Sequence, residues 1–313
     1  MRTVILWRVK PRKQATAAAA VLITLLLALV AGGCGNEDPG SDGEFKIVAT
    51  TGIGADIVRN VVGDHAEVTQ IVPDGSSPHS YAPSAREQAA IDNADLVVQF
   101  SPELEQGLPL EGAHNLFSFD DSVRKPRDFG AEEVGEEEAG EEDPHVWMDP
   151  TQIAGALPDL ADLLSALDPA NLRAYERNAK TYATELRTVD NELRQDSSTI
   201  PRADRELVTS HDVLGYFADR YGYDVIGTAF GPSPEAELGA STFGELVDTV
   251  RASGVPAVFA GEGDDPAVLE RISDETGVTV VDDLQLESLS DDVPTYVELL
   301  QTSGARISGA LAQ

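Results

Sequence analysis

The stretch that decides the fold is residues 168–195, DPANLRAYERNAKTYATELRTVDNELRQ. Its apolar and aromatic residues recur at spacings of three and four, namely Leu172, Tyr175, Ala179, Tyr182, Leu186, Val189 and Leu193. One stripe along roughly 28 residues predicts a helix about 42 Å long. Asp168 followed by Pro169 suits its N-terminus. Because this length exceeds what one lobe needs, the helix would be either a rod that joins two lobes or a coiled-coil arm.

Strand–helix alternation lies on both sides of this predicted helix. Before it, strands are predicted at residues 45–51, 66–72 and 95–100. After it, strands are predicted at residues 206–209, 224–228, 255–260 and 278–281. Such alternation is typical of parallel sheets covered by helices. We therefore expect an α/β fold with an N-terminal lobe over residues 44–167, a rigid backbone helix over 168–196 and a C-terminal lobe over 197–313.

The first 33 residues have the composition of a secretory signal. Five basic residues precede an almost uncharged apolar stretch over 15–30, and small residues lie directly before Cys34, the only cysteine. This arrangement resembles a bacterial lipobox, whose cysteine becomes the lipid-modified first residue of the mature protein. An uncleaved single-span anchor and a secreted protein with an incidental cysteine are the alternatives. Residues 34–43 are polar and predict a flexible tether.

The chain is strongly acidic. It carries 22 Lys and Arg residues against 55 Asp and Glu residues, and residues 1–33 hold five of the basic ones and none of the acidic ones. Such a charge repels phosphates and argues against nucleic acid as a partner. Residues 131–143 hold eight acidic residues and no basic one, which predicts a mobile loop. This loop would either gather cations or simply be solvated.

Three of the five histidines lie in distinct short motifs, each 66 residues from the next. They are His79 in SPHSY, His145 in DPHVWMDP and His211 in TSHD. A single histidine is more often a surface residue or a hydrogen-bonded core group than a ligand. Here all three occupy loop-like positions, and His211 ends a strand, the usual location of ligands in open sheets. Neutral imidazole is the commonest transition-metal ligand, so the pattern favours a metal site.

The combination resembles the zinc- or manganese-binding lipoproteins that serve as solute-binding components of bacterial metal ABC transporters. Their Pro-His-x-Tyr-x-Pro, Pro-His-x-Trp-x-Asp-Pro and strand-ending His segments correspond to residues 78–83, 144–150 and 210–212. Their late Leu-Asp-Pro-Leu segment corresponds to residues 281–284, which read Val-Asp-Asp-Leu. The resemblance implies two lobes joined by the long helix, with the metal in the cleft between them.

The resemblance also implies the metal ligands: His79, His145, His211 and Asp282, with Asp283 as the alternative carboxylate. Manganese members of the family usually have glutamate where this chain has His211. Three imidazoles and one carboxylate favour zinc over manganese, although affinity order alone also permits copper or nickel.

Three further acidic residues lie close to these motifs. Asp149 and Asp212 would orient imidazoles or serve as a helix cap and a turn residue. Glu262 lies in a segment that departs from the family's Phe-x-Glu-Pro pattern, and we expect no ligand role for it.

The function implied is extracytoplasmic capture of a divalent metal, most simply zinc, without covalent chemistry. A membrane permease driven by a cytoplasmic ATPase would accept the metal, and the chain would act as a lipid-anchored monomer. A zinc-dependent hydrolase is an alternative, because three histidines alone would leave a position for water. The sequence lacks His-Glu-x-x-His and Gly-x-Ser-x-Gly motifs, which argues against it. A surface adhesin with a structural metal is the other alternative.

Overall fold

The computed structural model describes residues 45–130, 140–230, 240–261 and 267–312. The predicted signal, Cys34, the predicted tether, residues 131–139 of the acidic loop and Glu262 lie outside the described residues. Among the helices of the described part, none is long and apolar enough to cross a membrane.

Two four-stranded parallel sheets form the frame of the fold. The strands of the first sheet are β1 (Lys46–Ala49), β2 (Glu67–Gln70), β3 (Leu96–Gln99) and β4 (Leu116–Ser118). The strands of the second sheet are β5 (Glu206–Thr209), β6 (Asp224–Thr228), β7 (Ala257–Gly261) and β8 (Thr279–Leu284). The strand order is β2-β1-β3-β4 in the first sheet and β6-β5-β7-β8 in the second, so the two sheets share one topology.

Helices connect and cover the strands, as parallel sheets require. Those of the described residues are α1 (Gly52–Val62), α2 (Ala85–Asn93), α3 (Pro150–Leu167), α4 (Leu172–Ser198), α5 (Gly215–Tyr221), α6 (Ala240–Ser253), α7 (Ala267–Thr276) and α8 (Tyr296–Leu311). The predicted α/β class with two strand–helix lobes is thereby confirmed.

Successive residues of each sheet pack into different cores. In β1, Ile47 belongs to a large central cluster and Val48 to a smaller outer one. In β5, Leu207 belongs to the same central cluster and Val208 to a separate outer one. Because side chains alternate across a strand, each sheet is buried on both faces. The central cluster runs through the long helices, so the two sheets share one apolar interior.

The long helix α4 lies in this central cluster and is not a projecting arm. All seven residues of the predicted stripe except Leu172 are buried. The α-helix begins four residues later than predicted, at Leu172, because Pro169–Asn171 form a 3-10 turn. The N–H of Asp168 instead closes α3 by donating to Leu164, and its carboxylate accepts from the hydroxyl of Tyr175 at 2.6 Å.

Candidate metal centre

Four side chains from four separate segments converge at one point: His79, His145, His211 and Glu287. One ligand atom from each lies within 4.8 Å of those of the other three. His79 lies in the turn between β2 and α2, and His145 directly precedes the 3-10 turn Val146–Met148. His211 and Glu287 follow the carboxyl ends of β5 and β8, where open parallel sheets bind ligands.

The three histidines all present Nε2 to one carboxylate oxygen. Oε1 of Glu287 lies 3.1 Å from Nε2 of His79, 3.7 Å from Nε2 of His145 and 3.5 Å from Nε2 of His211. The Nε2 atoms of His79 and His145 are 3.3 Å apart. Ligands at 2.0–2.2 Å around a tetrahedral zinc ion are separated by about 3.3–3.6 Å. Two of the four spacings, 3.3 and 3.5 Å, fall in this range, and the other two, 3.1 and 3.7 Å, lie just outside it, so small shifts of the side chains would let the group hold a tetrahedral ion.

The four side chains differ in their access to solvent. Those of His145 and His211 are 0% and 1% exposed, whereas those of His79 and Glu287 keep 10% and 13%. An ion would therefore enter and leave past His79 and Glu287, with the other two histidines forming the floor of the site.

Asp143 fixes the orientation of the most buried imidazole. Its Oδ1 lies 2.8 Å from Nδ1 of His145 and also accepts the backbone N–H of that residue at 2.9 Å. Its Oδ2 accepts from the guanidinium of Arg127 at 2.7 Å. A carboxylate on Nδ1 leaves Nε2 as the nitrogen that binds a metal, an arrangement common at zinc sites. Asp143 was expected only as the last residue of the acidic loop.

The charges of the group act on one another. Burial alone would raise the pKa of Glu287, but the three histidines outweigh it and hold this pKa well below its usual range. Burial alone would lower the pKa of His145, but the carboxylates of Asp143 and Glu287 raise it above its ordinary value. The two carboxylates thus favour the protonated form of His145, and the histidines favour the ionised form of Glu287.

The carboxylate that the structure places beside the three histidines is that of Glu287, whereas the prediction from sequence was Asp282 or Asp283. Both aspartates are exposed residues within β8, and the carboxylate of Asp283 lies 3.1 Å from the guanidinium of Arg306. The strand was expected to end at Val281 but continues to Leu284, so Asp282 lies before the carboxyl end of the sheet. The sequence does contain a signal for Glu287.

That signal is the stretch 286–289, Leu-Glu-Ser-Leu. It retains both leucines of the family's Leu-Asp-Pro-Leu segment, whereas 281–284 retains only one.

The two aspartates considered as imidazole-orienting residues have other surroundings. Asp149 caps α3, because its Oδ1 accepts from the N–H and the hydroxyl of Thr151 at 2.8 and 2.6 Å. Asp212 is fully buried, and its Oδ2 lies 3.7 Å from the guanidinium of Arg127. Arg127 thus joins the residue beside His211 to the residue that orients His145.

The chain matches known proteins along most of its length. The family described as ZnuA, zinc-uptake complex component A, periplasmic, matches residues 47–310. The manganese-binding lipoprotein MntA of Halalkalibacterium halodurans is 28% identical over 299 residues, which cover 93% of this chain and 97% of that protein. The zinc-binding lipoprotein AdcA of Streptococcus pneumoniae is 29% identical over 286 residues, which cover 87% of this chain and 56% of that protein.

The fold also matches a solved structure, the periplasmic zinc binding protein TroA from Treponema pallidum. The TM-score is 0.77 at 26% sequence identity, and the match covers 87% of this chain and 100% of that chain. The family match over residues 47–310 includes all four segments that carry the converging side chains. The chain therefore belongs to the ZnuA family, whose members are periplasmic metal-binding components of transporters and not enzymes.

Proposed function

We propose that this substrate-binding component of a metal ABC transporter captures zinc, and that His79, His145, His211 and Glu287 are the ligands. The observation that carries the proposal is the donor set, three imidazole nitrogens and one carboxylate oxygen that converge at mutual distances close to those around a tetrahedral ion. Imidazole-rich tetrahedral sites suit zinc, whereas manganese prefers more oxygen ligands in an octahedral arrangement.

Capture involves exchange of protons for metal and no covalent chemistry. In the metal-free protein Glu287 is in close contact with the three histidines. The incoming ion takes the place of the imidazole protons, because an imidazole must be neutral to bind a metal. Asp143 holds His145 in the orientation that presents Nε2, so this ligand requires little rearrangement. His79 and Glu287, at the solvent side, complete the coordination last.

We further propose that Cys34 carries the lipid anchor and that a permease driven by a cytoplasmic ATPase accepts the metal. The sequence around Cys34 and the lipoprotein names of the relatives MntA and AdcA support the anchor. Membership of the family supports the permease. The captured ion is thus held outside the membrane until the loaded protein meets its transporter.

Manganese is the second candidate cargo, because the relative MntA is named a manganese-binding lipoprotein. The third histidine argues against it here: His211 places a nitrogen where an oxygen-rich site would have a carboxylate. The hydrolase alternative is not favoured, since Glu287 occupies the position that a catalytic zinc would keep for water. Membership of a transporter family favours metal transport over a surface adhesin that holds only a structural metal.

The test is a metal-competition titration of the apoprotein lacking residues 1–33, with zinc and manganese competing against a chromophoric chelator. Tight one-to-one zinc binding with much weaker manganese binding is expected, and His211→Ala should lose most of the zinc affinity. A preference for manganese in the parent protein would overturn the assignment of the cargo. Undiminished zinc binding in His211→Ala would overturn the assignment of the site.

A further inference from the structure

The backbone directly before Glu287 is held by two buried side chains. The hydroxyl of Ser303, in α8, donates to the carbonyl of Gln285 at 2.7 Å. The indole N–H of Trp147 donates to the carbonyl of Leu286 at 2.8 Å. Both donors are 1% exposed. Two successive peptide groups are therefore fixed in the protein interior immediately before the residue that supplies the carboxylate of the site.

The two donors come from different parts of the molecule. Ser303 belongs to the C-terminal helix that follows Glu287. Trp147 lies two residues after His145 and 139 residues from Leu286 in the chain, and its ring packs edge-on against the imidazole of His145 at 5.3 Å between centroids. The indole hydrogen bond therefore connects the segment of one ligand to the segment of another.

A second contact closes the same loop onto Trp147. The hydroxyl of Tyr296, at the start of α8, donates to the backbone carbonyl of Trp147. The N–H of Tyr296 in turn donates to Oδ2 of Asp56, on α1, at 3.1 Å. The chain from Leu286 to Tyr296 is thus fastened to Trp147 at both of its ends, and Glu287 lies next to the first of these ends.

We propose that Trp147 is a positioning residue that holds Glu287 against the three histidines and thereby sets how long a bound metal ion stays. The inference rests on the proposed function. Its basis is that the ion must leave past Glu287 and His79, the two ligands with solvent access. For the ion to leave, the side chain of Glu287 must move away from the histidines. The indole hydrogen bond restrains the backbone next to Glu287 and so opposes this movement.

The first test compares Trp147→Phe with Tyr175→Phe. Trp147→Phe removes the indole hydrogen bond together with part of the ring, and Tyr175→Phe removes one hydroxyl hydrogen bond of a buried ring; Tyr175 bonds to Asp168 at the end of α3 and is not one of the four converging side chains. Zinc is loaded at one equivalent, and its dissociation is followed by capture with excess chromophoric chelator. Trp147→Phe is expected to release zinc about tenfold faster than the parent, which is the size of effect usual when a residue that supports a metal ligand is replaced. Tyr175→Phe is expected to release it at the parent rate.

The second test guards against misfolding of Trp147→Phe. The sequence has only two tryptophans, Trp7 and Trp147, so the protein without residues 1–33 has a single one, and tryptophan analogues label only that position. An isosteric benzothienylalanine lacks the N–H donor, whereas 4-fluorotryptophan keeps it. The first analogue is expected to accelerate zinc release about tenfold relative to the second.

The outcomes separate the inference from the proposed function. If the parent protein binds no zinc, the proposed function fails. If the parent binds zinc and the benzothienylalanine and 4-fluorotryptophan proteins release it at equal rates, the function stands and the inference is overturned. Equal acceleration in Trp147→Phe and Tyr175→Phe would also overturn it, because loss of general stability would then explain the effect.

Discussion

Nε2 of His79 lies 3.1 Å from Oε1 of Glu287, although the two residues are 208 positions apart in the chain. One belongs to the loop after β2 of the first sheet and the other to the loop after β8 of the second. Both keep some access to solvent, whereas His145 and His211 have almost none. This pair therefore lies at the solvent side of the site. An ion bound by both residues would link the loop after β2 of the first sheet to the loop after β8 of the second.

The carboxylate can be identified by a matched pair of variants. Glu287→Gln keeps the size of the side chain but removes its charge, so we expect zinc affinity to fall more than about 100-fold, beyond the usual effect of a residue outside the coordination sphere. Asp282→Asn makes the same chemical change at an exposed position of β8 and should leave the affinity unchanged. Chelator competition measures both. A larger loss of zinc affinity in Asp282→Asn than in Glu287→Gln would identify Asp282, the carboxylate expected from the sequence, as the ligand.

Zinc binding should weaken at a higher pH than for an ordinary imidazole site. Asp143 and Glu287 outweigh burial and raise the pKa of His145, so in the apoprotein this imidazole keeps its proton to higher pH. The ion must displace that proton, and affinity should fall about tenfold per pH unit for each proton displaced as the pH drops below the raised pKa. Titrations between pH 5 and 8 measure the slope. A pH-independent affinity over this range would contradict the predicted proton exchange.

Asp143 and Asp149 lie at the two ends of one short motif and should give different phenotypes. Asp143→Asn removes the charge that orients His145 and should lower zinc affinity roughly 10- to 100-fold. Asp149→Ala removes the cap of α3 and should lower the free energy of unfolding by about 0.5–2 kcal/mol while leaving the affinity intact. Urea unfolding and chelator competition on both variants separate the roles. An equal loss of affinity in the two would mean that the whole segment acts as a unit.

Glu105 should make the stability of the apoprotein depend on pH. Burial raises its pKa to about 7 from an ordinary 4.5, despite hydrogen bonds from Thr50 and from the backbone N–H groups of Phe100 and Ser101. Because the folded state binds this proton more tightly, the stabilisation is complete below about pH 4.5 and is lost as the pH rises through about 7.

The corresponding variant is Glu105→Gln, which cannot titrate. Below pH 4.5 the parent should exceed it in unfolding free energy by about 1–3 kcal/mol, since the amide cannot accept every donor that the acid serves. The difference should shrink as the pH rises toward 7. Glu103→Gln, two residues away and exposed, is the control. A difference that stays constant across this range would show that Glu105 titrates at its ordinary pKa.

The frame of the fold was accessible from the sequence because buried parallel strands and a long amphipathic helix have strong periodic signals. The strands at Glu206–Thr209 and Asp224–Thr228 have the predicted bounds. The strand Leu116–Ser118 was not predicted, since three residues at a sheet edge are too few for a pattern. The sequence left a coiled-coil arm open for α4, because the same apolar stripe could pack against a separate helix. Only the three-dimensional packing shows that the stripe lies in the central cluster.

The histidines of the site were accessible from their motifs, whereas the carboxylate was assigned to Asp282 although residues 286–289 retain both leucines of the family segment. Choosing it required the point at which β8 ends, and strand ends are weakly encoded: the strand runs three residues beyond the expected Val281. Asp143 was hidden in an acidic run, where its neighbours suggested a solvated residue. Its role depends on the contact with His145 and Arg127, which sequence spacing does not reveal.

The most direct measurement is a crystal structure of the zinc-loaded protein with diffraction data collected on both sides of the zinc absorption edge. We expect one anomalous peak within the group, about 2.0–2.1 Å from Nε2 of His79, His145 and His211 and about 2.0–2.2 Å from an oxygen of Glu287. An ion bound through Asp282, or a zinc peak outside the three histidines, would contradict the account.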